Sequence, residues 1–353
     1  MEKYKQLLKS LINAVELRDP YTKGHSQRVA VYAREFGKFL NLDETEIEKL
    51  YISGLLHDIG KVVIPDNILL KPSFLTAKEY SIVKYYPVLS AEIVAEMEDF
   101  KELSEIVKYH RENFDGSGYP EKLSGKNIPF LSRILSIADV FDALSTDKIY
   151  RKAFTLEESV RMMEDMKYKF DGTLLMKFFN FIKNFGLLES EGFLKESVSN
   201  EVMHLRETVL FEDMITGLFN KNAFFLLIRK AISLKQSISV VSFDIVNYKL
   251  IKQKMGVVSL DKIVKLTAGE IKNHLGVKLN LDKTEENDVF AIRNSGARFL
   301  LLVIGKPEIV FEKLDIIEKK VSNIFKEVEF KKSVLIENMQ MDYNFEKVIE
   351  YII

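Results

Sequence analysis

The densest chemistry in the chain is His57-Asp58-Ile59-Gly60-Lys61, which follows directly on the apolar run Tyr51-Ile52-Ser53-Gly54-Leu55-Leu56. An imidazole, a carboxylate and an ammonium are crowded together there. Such a cluster at the buried end of a helix costs free energy unless it is paired or holds a metal. The sequence has 5 histidines, and His25, His57 and His110 each neighbour a polar or turn-forming segment in the first half. Taken singly, any of them reads as an ordinary polar residue. Joined with Asp58 and Asp139 they form a mixed nitrogen and oxygen donor set, suited to Fe, Mn, Co, Ni or Zn rather than to Mg or Ca alone. There are 0 cysteines, which excludes disulfides and thiolate sites. Adjacent residues such as His57 and Asp58 reach one ion only where a helix ends or distorts, and Gly60 allows such a distortion.

These residues need elements to hold them. A length of 353 residues is enough for two domains, and with 47% hydrophobic residues each half can bury a core. The 51 basic and 52 acidic residues nearly cancel, which argues against a broad nucleic-acid surface. The start, Met1-Glu2-Lys3-Tyr4-Lys5-Gln6, lacks the apolar stretch of a signal peptide, and no apolar run approaches a membrane span. A cytoplasmic protein is expected.

The first half reads as helical throughout. Leu7, Leu8, Leu11, Ile12 and Val15 recur at helical spacing until Asp19-Pro20 breaks the pattern. A second helix starts near Gly24 and carries Val29, Ala33, Phe36 and Leu40. A third runs from about Asp43 into the His57 cluster. Thr76 with Glu79 forms a capping box, opening a helix that Pro87 interrupts or kinks. Another helix, about Leu103 to His110, leads into a loop rich in turn formers. Pro129 suits the start of a helix bearing Ile134, Ile137, Ala138 and Phe141. Thr155 with Glu158 is a second capping box, and Leu174 to Phe185 closes the bundle.

The second half changes character. Ser237 to Phe243 and Phe299 to Ile304 are β-branched and aromatic runs that read as buried strands. Helical stretches fall at about Asn220 to Leu234 and Leu260 to Leu275. The expected class is therefore an all-α bundle followed by an α/β domain with a central, mostly antiparallel sheet. The boundaries are placed at 1–192 for the first domain, 193–212 for a linking helix and 213–353 for the second domain.

Ordered motifs give the first half a specific resemblance. Arg18-Asp19-Pro20-Tyr21-Thr22-Lys23-Gly24-His25 with Arg28, His57-Asp58-Ile59-Gly60-Lys61, and Ile64-Pro65 open it. Asp115-Gly116-Ser117-Gly118-Tyr119-Pro120, Ile137-Ala138-Asp139-Val140-Phe141-Asp142-Ala143-Leu144 and Tyr150-Arg151-Lys152-Ala153 complete it. Over about residues 7 to 190 the chain resembles an HD-GYP domain, a branch of the HD phosphohydrolase superfamily whose members hydrolyse the messenger cyclic di-GMP. The resemblance implies an all-helical bundle and metal-assisted attack of activated water on a phosphodiester. It implies that His25, His57, Asp58 and Asp139 hold a first metal, Fe or Mn, with Asp58 bridging to a second one beside His110. Lys61 is implied at a phosphate oxygen, Lys148 and Arg151 at substrate phosphate, and Tyr119 in the pocket wall.

Two departures stand out. Tyr86 and Arg111 each replace a histidine that would serve the second metal, and Tyr21 replaces a glutamate that would serve a third. The result is a complete one-metal site in a two-metal frame. The Arg111 guanidinium could supply the missing charge and hold a phosphate, or it could mark a site that keeps only ligand binding. The readings left open are a cyclic di-GMP phosphodiesterase, an impaired relative that binds nucleotide or protein, and a one-metal hydrolase of another phosphate ester.

From about residue 205 onward, Asp213-Met214-Ile215-Thr216-Gly217-Leu218-Phe219-Asn220-Lys221 and Ser242-Phe243-Asp244 resemble parts of a GGDEF domain, the fold of diguanylate cyclases. Its signature has become Ser295-Gly296-Ala297-Arg298-Phe299, and Val246 and Lys252 also depart from the pattern. A magnesium-assisted cyclase needs carboxylates for its metals, and Asp244 alone is not enough. The resemblance therefore implies a catalytically silent regulatory or dimerising domain. The expected partners are cyclic di-GMP or a related phosphodiester, a GGDEF-domain protein, or a second copy of the chain.

Overall fold

The computed structural model describes residues 2–18, 24–71, 75–147, 153–188, 208–281 and 284–340. They form two compact units, one on each side of the segment 189–207. The proposed boundary at 192/193 and most of the linking helix lie outside the described residues; of the linker, residues 208–212 are described, helical over 208–211 and bridged to Phe219 at Glu212.

The first unit is helical. Its order is α1 (Glu2–Glu16), α2 (His25–Phe39), α3 (Glu44–Leu56), a 3-10 turn (Ile59–Val63), α4 (Asp66–Leu69), α5 (Ala77–Val83), α6 (Tyr86–Ala95), α7 (Ser104–Lys108), α8 (Phe130–Ser145), α9 (Leu156–Asp165) and α10 (Gly172–Phe185). The caps explain several starts. Asp43 accepts from the Glu46 N–H at α3, and Thr76 and Thr155 make complete capping boxes at α5 and α9. Pro87 does not kink a longer helix. It sits in the first turn of a separate one, α6, where its missing N–H costs nothing. The α1 stripe is narrower than its spacing suggested: Leu8 and Ile12 are buried, while Leu7 is 66% exposed. Each residue turns the helix by about 100°, so Leu7 and Leu11 fall on a neighbouring face. Phe36, Phe141 and Phe178 meet edge-to-face at 5.1–5.2 Å in the core.

In the second unit, α11 (Lys221–Ser233), α12 (Tyr248–Leu275) and α13 (Glu308–Ile324) accompany strands β1 (Ser237–Ile245), β2 (Val289–Ser295), β3 (Arg298–Ile304) and β4 (Phe330–Gln340). The strands pair antiparallel in the order β2-β3-β1-β4. The two strands read from sequence, β1 and β3, are the central pair, buried on both faces. The edges β2 and β4 were not foreseen. Helix α12 begins earlier than its apolar period indicated and is broken at Gly256, which takes φ 81°.

Candidate metal centre

Three elements deliver the donors. His25 opens α2, His57 and Asp58 follow the last residue of α3, and Asp139 and Asp142 lie on one face of α8. The chain leaves α geometry at His57–Asp58 and enters the 3-10 turn, with Asp58 at φ −104° and ψ 3°. That change brings His57 Nε2 within 3.5 Å of Asp58 Oδ1 although the residues are adjacent. Gly60 is required for a reason other than distortion of the helix. A Cβ there would lie 2.4 Å from the Tyr86 carbonyl oxygen and 2.5 Å from the Ser90 nitrogen, so only glycine lets the turn pack on α6. Its N–H donates to Ser90 Oγ at 2.8 Å.

The donors converge. His25 Nε2 is 3.2 Å from Asp139 Oδ1 and 3.7 Å from Asp58 Oδ2, and His57 Nε2 is 3.9 Å from Asp139 Oδ1. Ligand atoms of His25, His57 and Asp58 lie within 4.8 Å of one another, as do those of His57, His110 and Asp139. All five side chains are buried. His57 Nε2 and Asp58 Oδ1 have no hydrogen-bond partner, while the buried Asp139 oxygens face His25 and Arg111 as ion pairs. Buried polar atoms are normally satisfied, and orphaned acceptors grouped around one point fit a cation bound among them.

The far sides of the rings are fixed. His57 Nδ1 pairs with the Gly54 carbonyl oxygen at 2.8 Å, and His25 Nδ1 with Asp142 Oδ2 at 2.7 Å. Asp142 also accepts from Arg28 at 2.6 and 3.1 Å. Both imidazoles thereby present Nε2 to the centre, the usual arrangement around metal-binding histidines. Upstream, the buried Glu16 carboxylate accepts the N–H groups of Gly24 and Ser26 at 2.7 and 2.8 Å, pinning the start of α2 and with it His25.

Charge follows the same geometry. Burial opposes a proton on His25, but hydrogen bonds to Asp139 and Asp142 overcome it and raise its pKa to about 9. A metal cation among these carboxylates would take that proton's place. Burial likewise opposes ionisation of Asp58 and Asp139, yet both are held well below the ordinary carboxylate range. His57 and Lys61 dominate at Asp58, and Arg111 at Asp139. Burial lowers His57, and burial with the charges on His57 and Arg111 lowers His110 to about 3, so His110 is neutral.

The remaining residues singled out in the sequence are placed as follows. Lys61 Nζ pairs with Asp58 Oδ2. Arg111 Nη2 lies 3.0 Å from Asp139 Oδ2, and its Nε donates to Tyr86 Oη at 2.6 Å. Tyr119 is partly buried, with the Lys84 ammonium 5.7 Å from its ring centre. Lys148 and Arg151 lie outside the described residues. Asp142 and Glu16 were missed as supports of the centre. The spacing of Asp139 and Asp142, three apart on an otherwise apolar helix, was the available signal for Asp142; Glu16 left none.

Residues 9–174 of this helical unit match the HD-domain family model. Its relatives are named phosphodiesterases. The chain is 41% identical over 159 residues to 3′3′-cGAMP-specific phosphodiesterase 2 of Vibrio cholerae serotype O1, covering 44% of this chain and 30% of that one. It is 35% identical over 161 residues to the cyclic di-GMP phosphodiesterase response regulator RpfG of Xanthomonas campestris, covering 45% and 43%. The chain thus spans less than half the length of these curated relatives. Similar solved structures include a cyclic GMP-AMP specific phosphodiesterase of V. cholerae (TM-score 0.41, 18% identity, 77% of this chain and 66% of that one). Another is the GGDEF domain of DgcB from Caulobacter crescentus (TM-score 0.28, 20% identity, 35% and 74%).

In the second unit, Ser295-Gly296-Ala297-Arg298 forms the β2–β3 turn, with Gly296 at φ 53°. Arg298 faces Asp244 across the β1–β3 ladder and donates to its Oδ1 at 3.1 Å. Ala297 is buried. These residues line an open cleft of about 680 Å³ together with Ser242, Tyr248 and Lys331. Among the described residues, no helix is long and apolar enough to cross a membrane.

Proposed function

We propose that the helical unit is a metal-dependent phosphodiesterase acting on a guanine-containing cyclic dinucleotide, cyclic di-GMP first. The observation that carries this reading is the convergence of buried donor atoms, with His57 Nε2 and Asp58 Oδ1 lacking any hydrogen-bond partner beside Asp139 and His25 Nε2. The names of the relatives support the substrate class. His25, His57, Asp58 and Asp139 would hold one Fe or Mn ion. When bound, the ion supplies Lewis acidity and an activated water. Asp142 and the Gly54 carbonyl orient the two imidazoles. Lys61, beside Asp58, is positioned to neutralise a phosphate oxygen. Lys148 and Arg151 would contact phosphate further out, and Tyr119 would form part of the wall. Burial of the donors keeps bulk water from competing for them.

The domain limits remain 1–192, 193–212 and 213–353 in this reading. The last of these would be a GGDEF-like domain without cyclase chemistry. Arg298 neutralises Asp244, and Ala297 brings no carboxylate, so a magnesium ion would lack its ligands. Its role would be regulation, or pairing with a second copy or another GGDEF domain.

The test uses the full chain loaded anaerobically with Mn or Fe. Cyclic di-GMP and 3′3′-cGAMP are supplied in parallel, and products are separated by chromatography. Linear or mononucleotide product is expected, and Asp58→Ala should abolish it while leaving the circular dichroism spectrum unchanged. No product from either substrate would sink the enzyme reading and leave a binding module. GTP with magnesium should give no cyclic di-GMP; any formation would overturn the silent-cyclase assignment.

A further inference from the structure

The polar groups beside the metal donors form one relay in which each atom has a single role. His110 Nδ1 lies 2.5 Å from the Val107 carbonyl oxygen, so this nitrogen carries the proton and Nε2 is an acceptor. Tyr86 Oη lies 3.2 Å from that Nε2, and its hydroxyl hydrogen goes there. The same oxygen accepts the Arg111 Nε–H at 2.6 Å. Arg111 Nη2 then reaches Asp139 Oδ2 at 3.0 Å. Asp139 is shared in this way: Oδ1 faces His25, and Oδ2 faces the guanidinium.

A second ion in the donor group of His57, His110 and Asp139 would draw on His110 Nε2, because Nδ1 faces the Val107 carbonyl, and on the Asp139 oxygen turned away from His25, Oδ2. The first is taken by the Tyr86 hydroxyl and the second by a permanent cation. Bringing a divalent ion to within a few ångströms of that guanidinium is strongly repulsive in a buried site. The Tyr86 ring is 2% exposed, so the hydroxyl cannot swing away. Arg111 keeps capacity for a ligand. A guanidinium has five N–H donors; Tyr86 and Asp139 occupy two, and the side chain is 29% exposed. The open edge of a guanidinium matches the oxygens of a phosphate.

We propose that Tyr86 and Arg111 act together as a built-in substitute for a second metal ion: Tyr86 holds the guanidinium against Asp139, the centre takes one ion, and Arg111 binds the substrate phosphate. This deepens the hydrolase reading and rests on it. His110 becomes the anchor of Tyr86 rather than a metal ligand.

The experiment counts metal and measures anion binding without turnover. Full-length protein is loaded with manganese, gel-filtered and analysed for metal per chain. One ion is expected, with the six-line paramagnetic resonance spectrum of an isolated centre. The double variant Tyr86→His with Arg111→His should take two ions and show a coupled pair. Calorimetry with inorganic phosphate on the manganese-loaded protein should show affinity falling about tenfold or more in Arg111→Gln, the loss expected for a charge-assisted hydrogen bond. Metal content should stay at one ion in that variant, because the Tyr86 hydroxyl still occupies His110 Nε2. Tyr86→Phe, which keeps the ring and loses only the hydroxyl, should weaken phosphate binding in the same direction by a smaller factor. Two ions in the wild type, one ion in a folded double variant, or unchanged phosphate affinity in Arg111→Gln would each overturn this inference and leave the hydrolase reading standing. A wild-type chain that takes no ion removes both.

Discussion

Asp142 offers no donor atom to the centre, yet His25 and Arg28 both depend on it. It is fully buried and accepts from His25 Nδ1 and twice from Arg28. Asp142→Asn keeps the shape and removes the charge. Arg28 is then left buried against a neutral amide, a loss of about 3 kcal/mol, readable by urea denaturation. His25 also loses the carboxylate that sets its tautomer, and affinity for manganese should fall about 10- to 100-fold. The pH dependence has a definite sign. Burial opposes ionisation of Asp142, but the hydrogen bond and charge of His25, with the charge of Arg28, more than offset it, so its carboxyl is depressed. A carboxyl depressed in the fold stabilises fully above its unfolded pKa of about 4 and loses that contribution as pH falls through the folded value. The variant should therefore lose less stability on acidification than the wild type. Unchanged metal affinity in a folded variant would remove Asp142 from the centre. At this scale the donors themselves were legible, because imidazoles and carboxylates are scarce in apolar helices. The supports were not: Asp142 and Glu16 are ordinary acids until the chain brings α8 against α2 or turns α1 back on the start of α2.

Helices α2 and α3 approach closely enough to place His25 and His57 with ring centres 5.2 Å apart. Gly54 permits this. A Cβ there would stand 2.5 Å from Ala30 Cα and 2.8 Å from Ala30 N, both backbone atoms that cannot rotate away. Gly54→Ala must push the helices apart, at about 1–3 kcal/mol for overpacking a core. The displacement falls one turn before His57, so metal affinity should drop with thermal stability. A control such as Gly269→Ala, a helical position where a Cβ would meet nothing within 4 Å, should leave metal affinity unchanged and should not lower stability, since alanine favours the helix by about 1 kcal/mol over glycine. If Gly54→Ala lowers the melting temperature and metal affinity stays at the wild-type value, the helix spacing does not set the centre. Element by element, the helices of the first unit were readable because their period, caps and breakers agree. The strands β2 and β4 were not, for different reasons. Val289–Ser295 is apolar only in its first half, and Phe330–Gln340 mixes lysine, serine and glutamate with its apolar residues. Edge strands of this kind take their register from a neighbour rather than from their own pattern.

The two units close separate cores. One cluster draws on residues from Leu8 to Ile182, the other on residues from Leu218 to Val328, and they share none. Every proposed metal donor comes from the first. The division into a helical half and a mixed half was visible as a change of hydrophobic period near the middle of the chain, and the polar stretch Glu189-Ser190-Glu191-Gly192 marked where to place it, though that stretch lies outside the described residues. Separate cores predict separate responses to metal. A ligand that binds only the folded form stabilises it by RT ln(1 + [L]/Kd), about 2.7 kcal/mol at a hundred times Kd. For a unit of this size that raises the melting temperature by about 5–10 °C. Scanning calorimetry of the full chain should therefore show two transitions, and manganese should move one of them upward. A chelator should return that transition to its starting point and leave the other where it was. Asp58→Ala should erase the shift without moving the second transition. If manganese moves both transitions equally in the wild type, the two cores do not unfold independently, and the effects of metal, Gly54 and Asp142 must be measured on the chain as one cooperative block.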